Sequence, residues 1–212
     1  QDAPLFSFLI PTFCEARWVA HCLQSIQASL NHTGLSGEIL VSDGGSFDGT
    51  REIATHHGAH LFTNPRPRSH QLQCVADGAR GHLLVILHAD SRITPEGLLA
   101  MRRAWQRGAL GGWFQVEVEP EFDPARNALG LSLISEGINW RTRQFRTATG
   151  DQGVFFRLDA LKDLGGIPQQ PLLEGWELSK RMKAIGPVEI LGKHLRISGR
   201  RWEQTGLIKT TL

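Results

Sequence analysis

No one sign of charge dominates this 212-residue sequence: 23 lysines and arginines stand against 21 aspartates and glutamates, a formal net charge of +2. Binding along a phosphate backbone needs a concentrated basic face, so the balance excludes a dedicated nucleic-acid surface. The basic clusters at 141–146 and 196–201 are local, each a solvated face or a site for one anionic ligand. Cysteine is scarce. Cys14, Cys22 and Cys74 are odd in number and match no zinc-ligand spacing, which argues against a disulfide framework and for a reducing, cytoplasmic setting. A chain of this length buries a core large enough to do without covalent staples. No apolar run reaches the roughly 20 residues that span a bilayer, and 5–10 is too short for a signal peptide and lacks a basic leader. Internal repeats, low-complexity tracts and long linkers are missing too. Residues 1–212 therefore read as one domain, near globular averages in their 41% hydrophobic and 21% charged content.

What is present is an alternation. Residues 6–10 (FSFLI) read as a buried strand, and 15–30 as a helix with Val19, Leu23, Ile26 and Leu30 at helical spacing. Cys14 and Cys22, eight apart along that helix, read as packing residues rather than nucleophiles. A strand at 38–42 (EILVS) runs into a polar, Gly-rich loop at 43–50, then a helix at 50–57 and a strand at 59–63. A helix at 69–80 and the most hydrophobic strand, 83–87 (LLVIL), follow. Strands alternating with helical crossovers imply an α/β fold, a mostly parallel sheet covered by helices on both faces. The second half is less regular. It offers a half-exposed strand at 111–118 and a long helix at 127–146 with Leu129, Leu133, Ile134, Ile138 and Trp140. A turn at 150–153, a strand at 154–157, a helix at 173–185 and a short last strand at 188–191 complete it.

In open α/β sheets ligands sit beyond the carboxyl ends of the strands. Those positions here are Pro11-Thr12-Phe13, Asp43-Gly44-Gly45-Ser46 and His88-Ala89-Asp90, and polar residues and glycines collect at all three. In the 43–50 loop, glycines permit close backbone approach, Asp43 is placed to accept hydrogen bonds from a base or ribose, and Asp48 to cap the next helix. Taken alone, this is also an ordinary strand–helix turn. A carboxylate at Asp90, ending the innermost strand, is costly unless a cation meets it. A divalent metal bridging Asp90 to a diphosphate answers that need, with His88 as second ligand or hydrogen-bond partner. The plain alternative is a turn-capping Asp90 and a satisfied core histidine. Arg68 offers planar paired donors to a phosphate. Glu174 and Glu177, three apart at a helix start, share a face, and either of them, or Asp151 in the 150–153 turn, could take a proton from a hydroxyl. Acidic residues there also complement the helix dipole. Arg200, Arg201 and Trp202 offer cations to phosphates and an aromatic face to a sugar. Trp113, Trp140 and Trp176 are further stacking candidates, and equally core candidates. The missing G-x-G-x-x-G after the first strand argues against a dinucleotide-binding dehydrogenase, and 11–17 lacks the Gly-rich, basic stretch of a nucleotidyltransferase.

These segments, in this order, resemble the family 2 glycosyltransferases of the GT-A fold, and among them a bacterial subgroup associated with radical-SAM/selenodomain gene clusters. The subgroup's PT.NE, DGGS.DGT, GR..Q, LHAD, GDQG, P.MED.E.S.R and RRWE..G...T read here at 11–15, 43–50, 67–71, 87–90, 150–153, 171–181 and 200–210. The resemblance implies a Rossmann-like nucleotide-binding half at 1–110, using Pro11, Thr12, Glu15, Asp43, Gly45, Ser46, Arg68 and Ala89, and a smaller acceptor-side half at 111–212. It implies a UDP-sugar donor, Mn2+ or Mg2+ at Asp90 with His88 where the family's first aspartate stands, and direct displacement with inversion. Many such enzymes act on lipid-linked acceptors, which implies peripheral contact with the inner face of the membrane. Two departures stand out. The usual base position carries Gly175, so Glu174, Glu177 or Asp151 substitutes, or the chain binds nucleotide sugars with impaired transfer. Phe13-Cys14 and Pro67 also replace the family's residues and alter donor fit.

Overall fold

The computed structural model describes residues 2–122, 124–170 and 174–206. Strands β1 (Phe6–Thr12), β2 (Gly37–Asp43), β3 (His60–Thr63) and β4 (Leu83–Ile86) lie parallel in the order β3-β2-β1-β4. Helices α1 (Ala16–Thr33), α2 (Thr50–His56) and α3 (Arg68–Asp77) connect them. After β4 come β5 (Ser91–Ile93), helix α4 (Pro95–Gln106), β6 (Gly111–Glu119), helix α5 (Pro124–Phe145), β7 (Phe155–Arg157), helix α6 (Glu174–Ile185), β8 (Val188–Ser198) and helix α7 (Arg200–Thr205). The sheet continues past β4 as β7-β6-β8-β5, so strands of both sequence halves share one eight-stranded sheet. β7 runs antiparallel to β4 and β6, and β5 antiparallel to β8.

The period of two along β1 explains why both faces are covered. Phe6, Phe8 and Ile10 pack with Val19, Leu23 and Ile26 of α1, while Leu9 packs on the other side with Leu72 and Val75 of α3. A strand buried on both faces reads as a continuous apolar run, which is why LLVIL shows no alternation.

Three stretches of the chain differ from the sequence reading. The stretch after Asp90, left unassigned, holds β5 and α4; Thr94 starts α4 by accepting from the Gly97 amide (3.3 Å), with Pro95 in the first turn. The last strand does not stop at 191 but runs to Ser198. Its register against β6 shifts between Phe114 and Val116, and such irregularity hides a strand's alternation. The largest correction concerns α5. β7 pairs with β6 only at Gly111 and Gly112, and farther along β6 it is side chains of α5 that bond its backbone. The Val118 amide donates to Ser135 Oγ (2.8 Å), the Val116 amide to Asn139 Oδ1 (2.8 Å), and Asn139 Nδ2 to the Val116 carbonyl (2.9 Å). The inward stripe is therefore Leu131, Ser135, Asn139 and Thr142. Of the apolar residues that marked the helix, Ile134 and Ile138 pack against the core, while Leu129, Leu133 and Trp140 are 78%, 67% and 56% exposed.

Candidate active site

The carboxyl ends of β1, β2 and β4 meet at one edge of the sheet. Asp43, at the end of β2, is fully buried, and its carboxylate is occupied by the protein itself. Oδ2 accepts from the amides of Gly45 (3.0 Å) and Ser46 (2.8 Å), Oδ1 from the hydroxyls of Thr12 (3.0 Å) and Ser46 (2.5 Å). Asp43 thus shapes the loop; Gly45 turns it at φ 93°, a conformation that favours glycine. The loop in turn closes the start of α1. Ser46 Oγ accepts from the Cys14 amide, Thr50 Oγ1 from that of Glu15 and Asp48 Oδ2 from that of Ala16. Helix starts leave amides without partners, and here the DGGSFDGT segment supplies them. Asp48 also accepts from the Thr50 amide at the start of α2, as expected. Burial pushes its carboxyl upward, but bonds from Thr50 and Ala16 outweigh this and hold it below the ordinary value. Cys14 lies ahead of α1 rather than on it, at φ 55°. Gln71 of α3 donates to the carbonyls of Thr12 and Ser42, tying β1 to β2. At the rim, the Phe13 ring meets the Arg66 guanidinium at 4.0 Å and the exposed Phe47 edge-on.

Beyond β4, Ala89 is buried between two partly buried polar residues, His88 and Asp90. One nitrogen of Arg68, Nη1, lies 3.3 Å from His88 Nε2 and 3.3 Å from Glu174 Oε1. Glu174 enters from the first turn of α6 and is 4% exposed. Burial and the Arg68 charge hold His88 below its ordinary pKa, against the pull of Asp90, Asp151 and Glu174. Asp151 accepts from Thr149 Oγ1 (2.5 Å), which itself accepts from Arg141 (3.3 Å).

The cation that Asp90 requires is part of the chain. Arg200 Nε lies 2.9 Å from Asp90 Oδ2, while Nη1 and Nη2 grip Glu15 at 2.8 and 3.1 Å. The guanidinium also lies 3.9 Å from the Trp18 ring centroid. Burial pulls the Arg200 pKa down, but Glu15 and Asp90 more than offset it and raise it above its ordinary value. Among the described residues, no cluster of three or more His, Cys, Asp or Glu stands ready to hold a metal ion.

The structure does not bring every candidate here. Glu177 pairs with Lys180 (3.3 Å) and Arg181 (3.2 Å), and bonds from Arg181 and Lys180 hold its carboxyl low. Arg201 is exposed, Trp202 packs against the core, and Trp113 is fully buried. Residues 171–173 and 207–210 of the two last motifs lie outside the described residues. The Glu15–Arg200 pair was missed because 185 positions separate its partners and no spacing signals it. The close approach of Gly175 to Gly150 was missed too. A β carbon at 175 would lie 2.8 Å from both N and Cα of Gly150, so α6 sits where its second residue cannot carry a side chain.

Residues 7–164, three quarters of the chain, match the family described as Glycosyl transferase family 2. The chain belongs to that family. As a family 2 glycosyltransferase it is 26% identical, over 143 residues, to the low-salt glycan biosynthesis hexosyltransferase Agl6 of Haloferax volcanii, a match covering 65% of this chain and 34% of Agl6. Among solved structures it resembles S. aureus TarS 1–349 in complex with UDP-GlcNAc, with a TM-score of 0.66 and 15% identity over 92% of this chain and 58% of that one. It also resembles the mannosyltransferase PcManGT of Pyrobaculum calidifontis in complex with GDP-Man and Mn2+, with a TM-score of 0.65 and 19% identity over 92% and 56%. At such identities the likeness carries the fold, a mixed α/β sheet of GT-A type flanked by helices. The chain spans 34–42% of the length of the curated relatives it matches.

Proposed function

We propose that this glycosyltransferase moves a sugar from a nucleoside diphosphate, a UDP-sugar foremost, to an acceptor hydroxyl with inversion. A divalent cation, Mn2+ or Mg2+, arrives with the donor. The observation that carries the reading is the convergence of Arg68, His88, Asp90, Glu174 and Arg200 at the carboxyl ends of the parallel strands. Pro11, Thr12, Glu15, Asp43, Gly45, Ser46 and Ala89 frame the nucleotide side, Asp43 by shaping the loop. TarS and PcManGT were each solved with a nucleotide sugar, and PcManGT also with Mn2+.

The donor set fits a cation that brings most of its ligands with it. Glu15, Asp90, Asp151 and Glu174 outnumber Arg68, Arg200 and Arg141, the last of which reaches Asp151 through the Thr149 hydroxyl. A diphosphate entering alone would meet net negative charge. Hard cations take one or two carboxylates and complete their shell with phosphate oxygens and water. Asp90, with His88 beside it, would hold the ion, which when bound neutralises charge on the departing diphosphate. Arg68 and Arg200 orient the phosphates. The acceptor oxygen bonds to the anomeric carbon as the bond to the diphosphate breaks, its electron pair leaving with the phosphate oxygen. Glu174 or Asp151 takes the acceptor's proton.

On the acceptor side, α5 exposes Leu129, Leu133, Trp140 and Phe145, with Arg141, Arg143 and Arg146 exposed toward its end. Apolar and aromatic residues beside arginines suit an anionic membrane surface, which supports a lipid-linked acceptor met at the membrane's inner face. No helix among the described residues is long and apolar enough to cross a membrane. Sharing of one sheet by residues 1–110 and 111–212 supports a single GT-A domain. One observation favours a second reading: Gly175 leaves the family's base position without a carboxylate, as in a nucleotide-sugar-binding protein impaired in transfer.

Thermal-shift titration of UDP, GDP, CDP and ADP, each with and without Mn2+, tests the donor and metal together. The expected result is a base-selective, Mn2+-dependent shift that Asp90→Ala abolishes, accompanied by donor hydrolysis. Binding without hydrolysis favours the second reading. No shift with any nucleotide would overturn both.

A further inference from the structure

Arg200 divides its nitrogens between two carboxylates. Both terminal nitrogens face Glu15, and only Nε faces Asp90. The Glu15 side of this arrangement is built in. The Glu15 amide is fixed by Thr50 Oγ1 at 2.8 Å, the Trp18 ring lies beside the guanidinium, and the Arg200 amide donates to Ser198 Oγ at 3.2 Å. Next to it, Gly199 donates to the Glu119 carbonyl at 2.7 Å and anchors the backbone at the end of β8. The Asp90 side is a single ion-pair contact, with no hydrogen bond of the kind that Glu15 accepts, on the carboxylate that the donor reading assigns to the metal. A guanidinium on one oxygen of this carboxylate and a divalent cation on the other repel each other, so each weakens the other's hold.

We infer that Arg200 is an exchangeable counter-ion: it occupies Asp90 until metal and nucleoside diphosphate arrive together, and then turns its Nε to the phosphates while Glu15 keeps the rest of its fork in place. The inference rests on the donor reading above and adds an order of events to it. Metal alone has to displace Arg200 and leave that nitrogen with no anion. Nucleotide alone meets a surplus of carboxylates. Together each supplies what the other removes, so the two ligands bind with positive coupling. Glu15 is then a positioning residue for Arg200, and Trp18 confines the guanidinium's motion.

Free Mn2+ measured by its electron paramagnetic resonance signal reports metal binding without any turnover. In the parent protein, saturating UDP tightens Mn2+ binding about tenfold or more, within the usual range of coupling between sites. In Arg200→Ala, Mn2+ alone binds about tenfold tighter than in the parent, and the further effect of UDP, now only what its phosphates contribute as ligands and charge, is smaller than in the parent. Arg200→Lys, whose single ammonium cannot hold Glu15 by two bonds and Asp90 at once, falls between the two. It also keeps the test open if the alanine protein does not fold, which melting without ligand establishes. Equal Mn2+ affinity in parent and variants, with UDP still binding, overturns the exchange and leaves the donor reading intact. UDP that binds no form of the protein, with or without Mn2+, overturns the UDP donor reading and the exchange that depends on it.

Discussion

Gly175 is the residue at which the packing makes its sharpest prediction. A β carbon there would meet Gly150 Cα and N at 2.8 Å and the Thr149 carbonyl carbon at 3.0 Å, all of them backbone. No side-chain rotation relieves such contacts, so α6 or the 149–152 turn must move. Inserting atoms into a packed interior costs about 1–3 kcal/mol. Alanine in a helix recovers at most about 1 kcal/mol over glycine. Because the clash is with backbone, the upper part of the range applies, and Gly175→Ala should lose about 2 kcal/mol net. For a chain of this size that is a fall of about 4–8 °C in melting temperature. Gly175→Asp should fall further, since it also sets a new carboxylate beside buried Glu174 and near Asp151. It should not raise turnover, although it restores the family's carboxylate. Thermal unfolding followed by circular dichroism, with donor hydrolysis in parallel, checks both. A Gly175→Ala protein melting at or above the parent, or a Gly175→Asp protein of parental stability with faster hydrolysis, would refute the reasoning.

Glu38 accepts from Ser7, from the Arg80 amide and from the Arg80 guanidinium. Burial pushes its carboxyl upward, but these bonds outweigh it and hold its pKa below the ordinary value. A depressed folded pKa contributes stability that is full above the unfolded value and lost as pH falls through the folded one. Glu38→Gln should therefore be less stable than the parent at pH 7, with the gap closing below about pH 4 in urea titrations; a pH-independent gap would contradict this. Asn139→Ala removes both bonds to Val116 and leaves a buried amide and carbonyl without partners. It should cost about 2–4 kcal/mol by urea denaturation, and a loss under about 0.5 kcal/mol would show that α5 does not serve as the neighbour of β6. Leu129→Glu with Leu133→Glu should change stability by less than about 0.5 kcal/mol while reducing sedimentation with anionic vesicles. Parental sedimentation would count against the membrane-facing role of α5.

The parallel half of the fold was legible because its signals are local. β1, β2 and β4 are short buried runs, β1 to β3 are each followed by a helix, and sequence and structure agree on these strands within a few residues. The antiparallel half was less so, for a physical reason visible in α5. A periodic pattern locates a core face only when the contacts it makes are apolar. Here the inward residues Ser135 and Asn139 bond a strand backbone, while Leu129, Leu133 and Trp140 point outward. The periodicity located the helix, and of its apolar residues Ile134 and Ile138 do pack against the core. In β8 the register shift interrupted the alternation in the same way, and the reading stopped where the pleat became irregular.

The candidate site shows the same division between what neighbours in sequence reveal and what only folding supplies. Asp43, His88, Asp90 and Glu174 could be singled out because polar residues at strand ends and helix starts are exceptions to a local pattern. Their roles depend on partners far along the chain. The sequence reading had a divalent metal meet the charge of Asp90; in the folded protein Arg200, from the far end of the chain, lies against it. A single buried carboxylate therefore does not by itself imply a metal. The stronger reason for one is the surplus of carboxylates that remains after Arg68 and Arg200 are counted. That surplus opposes a bare diphosphate and favours one that carries its own counter-ion. The proposed metal-dependent donor site and an arginine already seated on Asp90 are then compatible, because Arg200 meets only part of the carboxylate charge and a metal arriving with the donor would meet the rest.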